Sequence, residues 1–296
     1  MRRVVALALV VALAAVAAGC GGSSSSSSST QTAAAAPSNS CAKSNLDLVS
    51  GGKLTIGTDN PAYPPWFGGK PQGKWKISDP ASGQGFESAV AYAVAQKLGF
   101  SKSEVQWKYT PFNKAFAPGP KAFDLDINEI SFTPARAKVV DFSSSYYDVN
   151  QGIVVRKDKP IANAKTIADL KKYKLGAQLG TTSYQYIQSR IKPGTKPAVF
   201  PTNDAAVQSL KNGQIDGLVV DLPTAFYVTA AQVPNSKILG QFPTESGGEH
   251  FGMVLKKGSS LTPCVDKAIS SLRSSGKLQQ IQQQWLAKAT GAPVLS

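Results

Sequence analysis

The chain holds one histidine, His250, and three cysteines, Cys20, Cys41 and Cys264, among its 296 residues. Zinc sites draw on closely spaced Cys and His ligands, and none of those spacings occurs, so no metal site is expected. Common catalytic signatures are missing as well: there is no G-x-S-x-G elbow, no phosphate-binding glycine loop and no dinucleotide fingerprint. Acidic residues are few, 18 against 32 lysines and arginines, for a formal charge of +14 at pH 7. The positive charge is dispersed, with no basic run longer than Arg156-Lys157 or Lys171-Lys172 and no interleaved aromatic residues, which argues against nucleic acid. It reads as a solvated surface that favours anionic membrane or wall material. The apolar run Val4 to Ala18 is shorter than the ~20 residues that span a bilayer.

That run follows Met1-Arg2-Arg3 and ends at Gly19-Cys20, the layout of a signal peptide over residues 1–19. Ala17-Ala18-Gly19-Cys20 resembles the lipobox of bacterial lipoproteins, with Ala17 where Leu is commoner. The resemblance implies lipidation of Cys20 and an extracytoplasmic protein anchored to the cell membrane. Residues 21–40, GGSSSSSSSTQTAAAAPSNS, carry no charge and no large apolar side chain, so they cannot bury enough surface to fold. Residues 20–50 therefore read as a lipidated Ser/Ala-rich tether, of which about 20 residues would span on the order of 25 Å. With Cys20 lipidated, Cys41 and Cys264 remain, and in an oxidising compartment a disulfide between them is expected.

The remaining roughly 250 residues exceed what one core usually accommodates, so two lobes are expected. Strands are predicted at Leu54 to Thr58, Val105 to Tyr109, Asp124 to Ile130, Gly152 to Val155, Leu175 to Gln178, Gly217 to Val220 and Phe251 to Leu255. Helices fit Glu87 to Leu98, Thr182 to Ile191, Asp204 to Asn212, Pro223 to Gln232, Thr262 to Ser275 and Leu278 to Ala289. The third of these has Asn203 as its cap and Gly213 as its stop. The alternation implies an α/β fold of mainly parallel sheets flanked by helices.

Four segments carry chemistry. In KAFDLDINEISFTPAR, Thr133 is a predicted helix cap, Pro134 takes the first helical position and Arg136 the third, where a capping box would place Glu or Gln. A cation there opposes the helix dipole, which suits an anion site at the carboxyl end of a strand. The alternative is a surface arginine paired with Asp141 or Glu129, and both readings stand open. Gln178-Leu179-Gly180-Thr181-Thr182 joins a strand to a helix start, where free amides and hydroxyls suit a carboxylate. Asp221 ends a buried strand before Leu222-Pro223 and reads locally as a helix cap. Asp59-Asn60-Pro61-Ala62-Tyr63-Pro64-Pro65-Trp66-Phe67 is a stiff aromatic loop, fit either for packing or for the apolar part of a ligand.

Taken in order, GTDNPAYPPW, GFESAVAYAVAQKLGF, FDLDINEISFTPARAKVVDFSSSYYD, LGAQLGTTSYQYI, LKNGQIDGLVVD, FGMVLKKGS and LRSSGKLQQIQQQWL resemble the family 3 extracellular solute-binding proteins of polar-amino-acid ABC transporters. The resemblance covers nearly everything from Gly52 to Leu286. It implies a type II periplasmic-binding-protein fold, with lobe 1 at 51–147 plus 248–296 and lobe 2 at 148–247. The chain would cross between them near Tyr147 and near Glu245 to His250. It implies further that a monomer without cofactor clamps an amino acid and delivers it to a permease. By position, Arg136 would pair the ligand's α-carboxylate beside Gly180, Thr181 and Thr182. Asp221 would accept from the α-ammonium, and Ser131 would add a hydrogen bond. Tyr63 and Phe112 would wall the side chain, with Trp66 in the same aromatic loop.

Several positions depart from the family pattern. Asn60 is an extra residue, leaving open whether Asp59 or Asn60 faces the ligand. Asn128 and Glu129 stand where Ser or Gly is common, and Glu129 either receives a cationic side chain or pairs with a nearby basic residue. Glu87 replaces the usual aspartate and reads as helix-start chemistry. The expected ligand is polar and cationic, with glutamine as the competing possibility. An enzyme on the same fold, dehydratase-like or wall-lyase-like, would need a second acid or base besides Glu129. A sensor is disfavoured because no membrane span or signalling module follows in the sequence.

Overall fold

The computed structural model describes residues 40–244, 247–289 and 291–296. The signal peptide, Cys20, most of the tether and Glu245 lie outside the described residues.

Two five-stranded sheets organise the fold. The first comprises β1 (Leu54–Thr58), β2 (Val105–Tyr109), β3 (Leu125–Asp126), β4 (Val140–Phe142) and β12 (Val254–Lys256), in the order β2-β1-β3-β12-β4. The second comprises β6 (Gln151–Arg156), β7 (Leu175–Gln178), β8 (Ala198–Phe200), β9 (Gly217–Asp221) and β10 (Ser236–Gln241), in the order β10-β6-β9-β7-β8. Each has a parallel trio, β2-β1-β3 and β8-β7-β9, extended by antiparallel strands. Between the sheets, β5 (Tyr147–Val149) pairs antiparallel with β11 (Glu249–Phe251), so two chain crossings run side by side.

The burial pattern explains the layers. Successive residues of a strand point to opposite faces, so a continuous apolar run needs cover on both sides. Ile153, Val155 and Val219 enter one core of the second sheet, whereas Val154, Leu218 and Val220 enter the other. The first lobe has a larger core in which Leu54, Ile56, Leu125 and Ile127 meet α1 (Phe86–Lys97), α7 (Thr262–Ser274) and α8 (Lys277–Leu286). The Cys41–Cys264 disulfide closes this lobe, joining positions 223 residues apart.

Several expectations are corrected. The strand predicted from Asp124 to Ile130 shrinks to β3, because Glu129 takes a left-handed backbone with φ 53° and turns the chain. The one predicted from Phe251 to Leu255 divides between β11 and β12. Thr202, not Asn203, caps α5 (Asn203–Lys211), accepting from the Ala205 amide at 3.2 Å. Assigning everything after residue 248 to lobe 1 fails at the chain end. There Val294 pairs with Gln241, and Leu295 joins the core of the second sheet.

Candidate functional site

A cleft of about 610 Å³ opens between the lobes at the carboxyl ends of β1, β3, β7 and β9. Open α/β sheets hold ligands at such strand ends. Asp59, Asn60, Tyr63, Phe112, Asn128, Glu129, Ser131, Arg136, Thr181, Thr182 and Asp221 all line it. Two other sequence-predicted site residues do not. Trp66 is 0% exposed and packs edge-on against Phe86, Tyr147 and Phe251, so it belongs to the core. Gly180 offers its carbonyl to Arg136, and at φ 82° a Cβ there would come within 2.0 Å of the Asn113 amide oxygen.

Arg136 is set by the local structure read from the sequence. In α3 (Pro134–Ala137) the Thr133 hydroxyl accepts from the Arg136 amide at 3.2 Å, with Pro134 in the first turn. The side chain is 7% exposed. One guanidinium nitrogen donates to the Ser131 carbonyl at 2.6 Å and another to the Gly180 carbonyl of the opposite lobe at 2.7 Å. Its central carbon lies 4.2 Å from the Phe116 ring centre and 5.7 Å from that of Phe112, a cation on aromatic faces. Desolvation lowers its pKa to about 10, opposed by the charges of Glu249 and Asp221, so it stays cationic at neutral pH. Pairing with Asp141 is excluded, because Asp141 instead meets Lys257 at 3.2 Å and accepts from the Gly258 amide at 2.9 Å.

Asp221 is not a helix cap: it precedes α6 (Leu222–Tyr227) without a side-chain bond to that helix. Its carboxylate accepts from the Gln151 amide nitrogen at 2.5 Å. The same nitrogen donates to Glu249 at 3.0 Å, while the Ser183 hydroxyl donates to the Gln151 amide oxygen at 2.6 Å. Ser131 completes the lattice, donating to Glu249 at 2.5 Å and lying 3.3 Å from the Thr182 hydroxyl. Burial first, and then the charge of Glu249, push the Asp221 carboxyl well above its ordinary range, against the Gln151 bond. Thr181 serves its own helix, α4 (Thr182–Tyr186), accepting from the Tyr184 amide at 3.1 Å.

Glu129 is half-buried. A left-handed conformation costs a non-glycine residue roughly 1–2 kcal/mol, so it must be held by its surroundings. The Thr224 hydroxyl of the second lobe donates to its carboxylate at 2.9 Å and accepts from the Trp66 indole at 2.8 Å. Burial, then the charges of Glu87 and Asp221, raise the Glu129 carboxyl well above its usual pKa. Asn60 directs its side chain to the loop, donating to the Lys74 carbonyl at 2.8 Å and accepting from the Lys76 amide at 3.2 Å. Asp59 accepts from the Asn60 amide at 2.7 Å, and burial raises its pKa. The buried Asn128 side-chain nitrogen has no partner among the described residues, and the Tyr63 hydroxyl faces the Asp204 carboxylate.

Sequence reasoning missed Gln151, Glu249 and Thr224, which tie the lobes together, and Asp204, which adds another carboxylate to the cleft. No local pattern marks them, since their partners lie 70, 98 and 95 residues away for the Gln151–Asp221, Gln151–Glu249 and Thr224–Glu129 bonds. Glu87 stands in the first turn of α1, as read from the sequence, and is in addition fully buried. Among the described residues no cluster of His, Cys, Asp and Glu could hold a metal.

The sequence model of the bacterial extracellular solute-binding proteins, family 3, matches residues 54–288. The arginine-binding extracellular protein ArtP of Bacillus subtilis (strain 168) is 28% identical over 253 residues, which cover 83% of this chain and 91% of that protein. An ancestral arginine-binding protein whose structure was solved bound to glutamine is 33% identical, with a TM-score of 0.65 over 79% of this chain and 97% of that one. The solved ancestral amino acid-binding protein AncCDT-1, a precursor of cyclohexadienyl dehydratase, is 28% identical with a TM-score of 0.62, covering 79% of this chain and 95% of its own.

Proposed function

Because the chain belongs to the bacterial extracellular solute-binding proteins, family 3, we propose that it captures a cationic amino acid between two closing lobes and delivers it to the permease of an ABC importer. Residues 51–147 and 248–289 form the first lobe, and 148–247 with the C-terminal tail form the second. Arg136 receives the ligand's α-carboxylate beside Ser131, Thr181 and Thr182, and Asp221 receives its α-ammonium. A zwitterion needs both groups, and because they come from different lobes, binding favours closure. Tyr63 and Phe112 flank the side chain, and Glu129, with Asp59, Asn60 and Asn128 nearby, meets its charged end. The protein works as a monomer, tethered outside the cell membrane through lipidated Cys20, without catalysis.

The observation that carries this reading is the state of Glu129. It faces the cleft among like charges, and its carboxylate receives a hydroxyl bond where a partly desolvated anion is better matched by a cation. Relatives named for arginine binding support the same class. A thermal-shift screen of the free amino acids tests it: arginine, lysine or histidine is expected to raise Tm most. A largest shift with glutamate, or no shift with any cationic amino acid, overturns the ligand class.

One observation favours an enzyme instead. Burial and neighbouring charges raise the Glu129 carboxyl above its usual range, which favours its proton-holding form, and a likeness to a dehydratase precursor accompanies it. Incubation with arogenate or wall fragments is expected to show no turnover; turnover lost in Glu129→Gln would replace the transport reading.

A further inference from the structure

Gly85 has φ 91°, and a Cβ on it would come within 2.4 Å of the Phe67 backbone. The aromatic loop is thereby seated directly on the start of α1, where the Glu87 amide donates to the Trp66 carbonyl at 2.8 Å. This contact turns Glu87 inward. Its carboxylate is 0% exposed, and one oxygen accepts both from the Glu129 backbone amide at 2.7 Å and from the Tyr146 hydroxyl at 2.5 Å. The other oxygen has no partner among the described residues.

The left-handed turn at Glu129 takes its amide out of any strand ladder, and Glu87 receives that amide from 42 residues away. A carboxylate is a strong acceptor for a backbone amide, so this bond rewards the backbone conformation that is otherwise disfavoured. From the opposite side the Glu129 carboxylate is met by Thr224, which is itself held by Trp66. Backbone and side chain are thus gripped separately, and both grips trace back to the segment from Trp66 to Glu87.

The geometry points to Glu87 as a positioning residue: by holding the Glu129 backbone left-handed it aims that carboxylate across the cleft and sets the preference for a cationic over a neutral ligand side chain. This rests on the functional reading above. A mere core role would weaken all ligands alike, whereas a positioning role acts through Glu129 alone.

The test is calorimetry with arginine and glutamine on Glu87→Ala, Glu87→Gln, Glu129→Gln and the double variant Glu87→Ala/Glu129→Gln, with crystal structures of the Glu87 variants. Glu87→Ala is expected to weaken arginine about ten-fold while glutamine changes less than about three-fold. Glu87→Gln, which keeps an acceptor oxygen, should restore arginine affinity to within about three-fold of wild type. In the Glu129→Gln background the Glu87→Ala change should have almost no further effect on arginine. Equal losses for both ligands, or a full arginine loss persisting without Glu129, overturn the proposal. Should Glu87→Ala fail to fold, Glu87→Asp, one methylene shorter, is expected to show the same selective loss. The backbone readout separates the two ideas. If wild type shows no preference for arginine, the ligand class fails, yet Glu129 leaving the left-handed region when Glu87 is shortened or removed still supports the positioning role, and Glu129 staying there refutes it.

Discussion

Around Arg136 the protein supplies what a buried cation needs: two carbonyls, at 2.6 and 2.7 Å, and the faces of two phenylalanine rings. Around Glu129 it supplies a threonine hydroxyl and three like charges, Glu87, Asp221 and Asp59. Both groups lose water, but the cation is compensated by neutral partners while the carboxylates are left to push one another's pKa upward. An unpaired buried charge is costly, so the second arrangement persists most easily if the partner arrives from outside. Arg136 reads as a preformed anchor, and Glu129 as a socket.

The largest expected effect comes from removing an anchor. Arg136→Ala or Asp221→Ala should each weaken every amino-acid ligand by about 2–5 kcal/mol, roughly thirty-fold or more, with circular dichroism unchanged. Near wild-type affinity by calorimetry in both variants would erase the contrast.

The pH dependence sharpens it. Glu87 is raised from 4.5 to about 7 by burial, against its bonds from Tyr146 and Glu129. The folded state therefore holds a proton that the unfolded chain has released. Stability then falls as pH rises from about 4.5 to 7, by on the order of 1–3 kcal/mol for this group. The ligand-free protein should melt lower at pH 8 than at pH 5.5. Arginine should reverse the trend, because Glu129 and Asp221, also raised, bind a cation best when ionised. Parallel melting curves with and without arginine would contradict the socket.

Thr224→Val should weaken arginine by about 0.5–1.5 kcal/mol, since it removes the neutral donor between Trp66 and Glu129 and leaves the indole without its acceptor. Glutamine titrated in parallel should change less. The smallest effect on binding belongs to the disulfide. Opening a link across 223 residues should cost stability roughly 2–4 kcal/mol yet leave the arginine Kd within about two-fold, because both cysteines belong to the first lobe's core. A matching loss of affinity on reduction would tie that core to the cleft.

These contrasts also mark what the sequence disclosed. Thr133-Pro134 and the buried strands β1 and β7 were legible because a cap, a proline and a run of apolar residues act over a few positions. Arg136 stood out for the same reason, as a cation where a helix start prefers an anion. Gln151, Glu249 and Thr224 were not legible, because their roles come from bonds between lobes. Glu87 was legible as a first-turn residue of α1 but its burial was not, for a related reason: a glutamate there normally serves the helix dipole from solvent, and only the seating of the aromatic loop against Gly85 turns it inward. The Glu129 turn broke a predicted strand, since a left-handed glutamate has no local signature.

The most direct test of the socket is the pair of dissociation constants for arginine and glutamine in wild type and Glu129→Gln. The expected result is a wild-type preference for arginine of about ten-fold or more, lost in the variant through weaker arginine binding while glutamine stays within about three-fold. Tight wild-type binding of glutamine or glutamate without arginine binding, or an arginine affinity indifferent to Glu129→Gln, would contradict it.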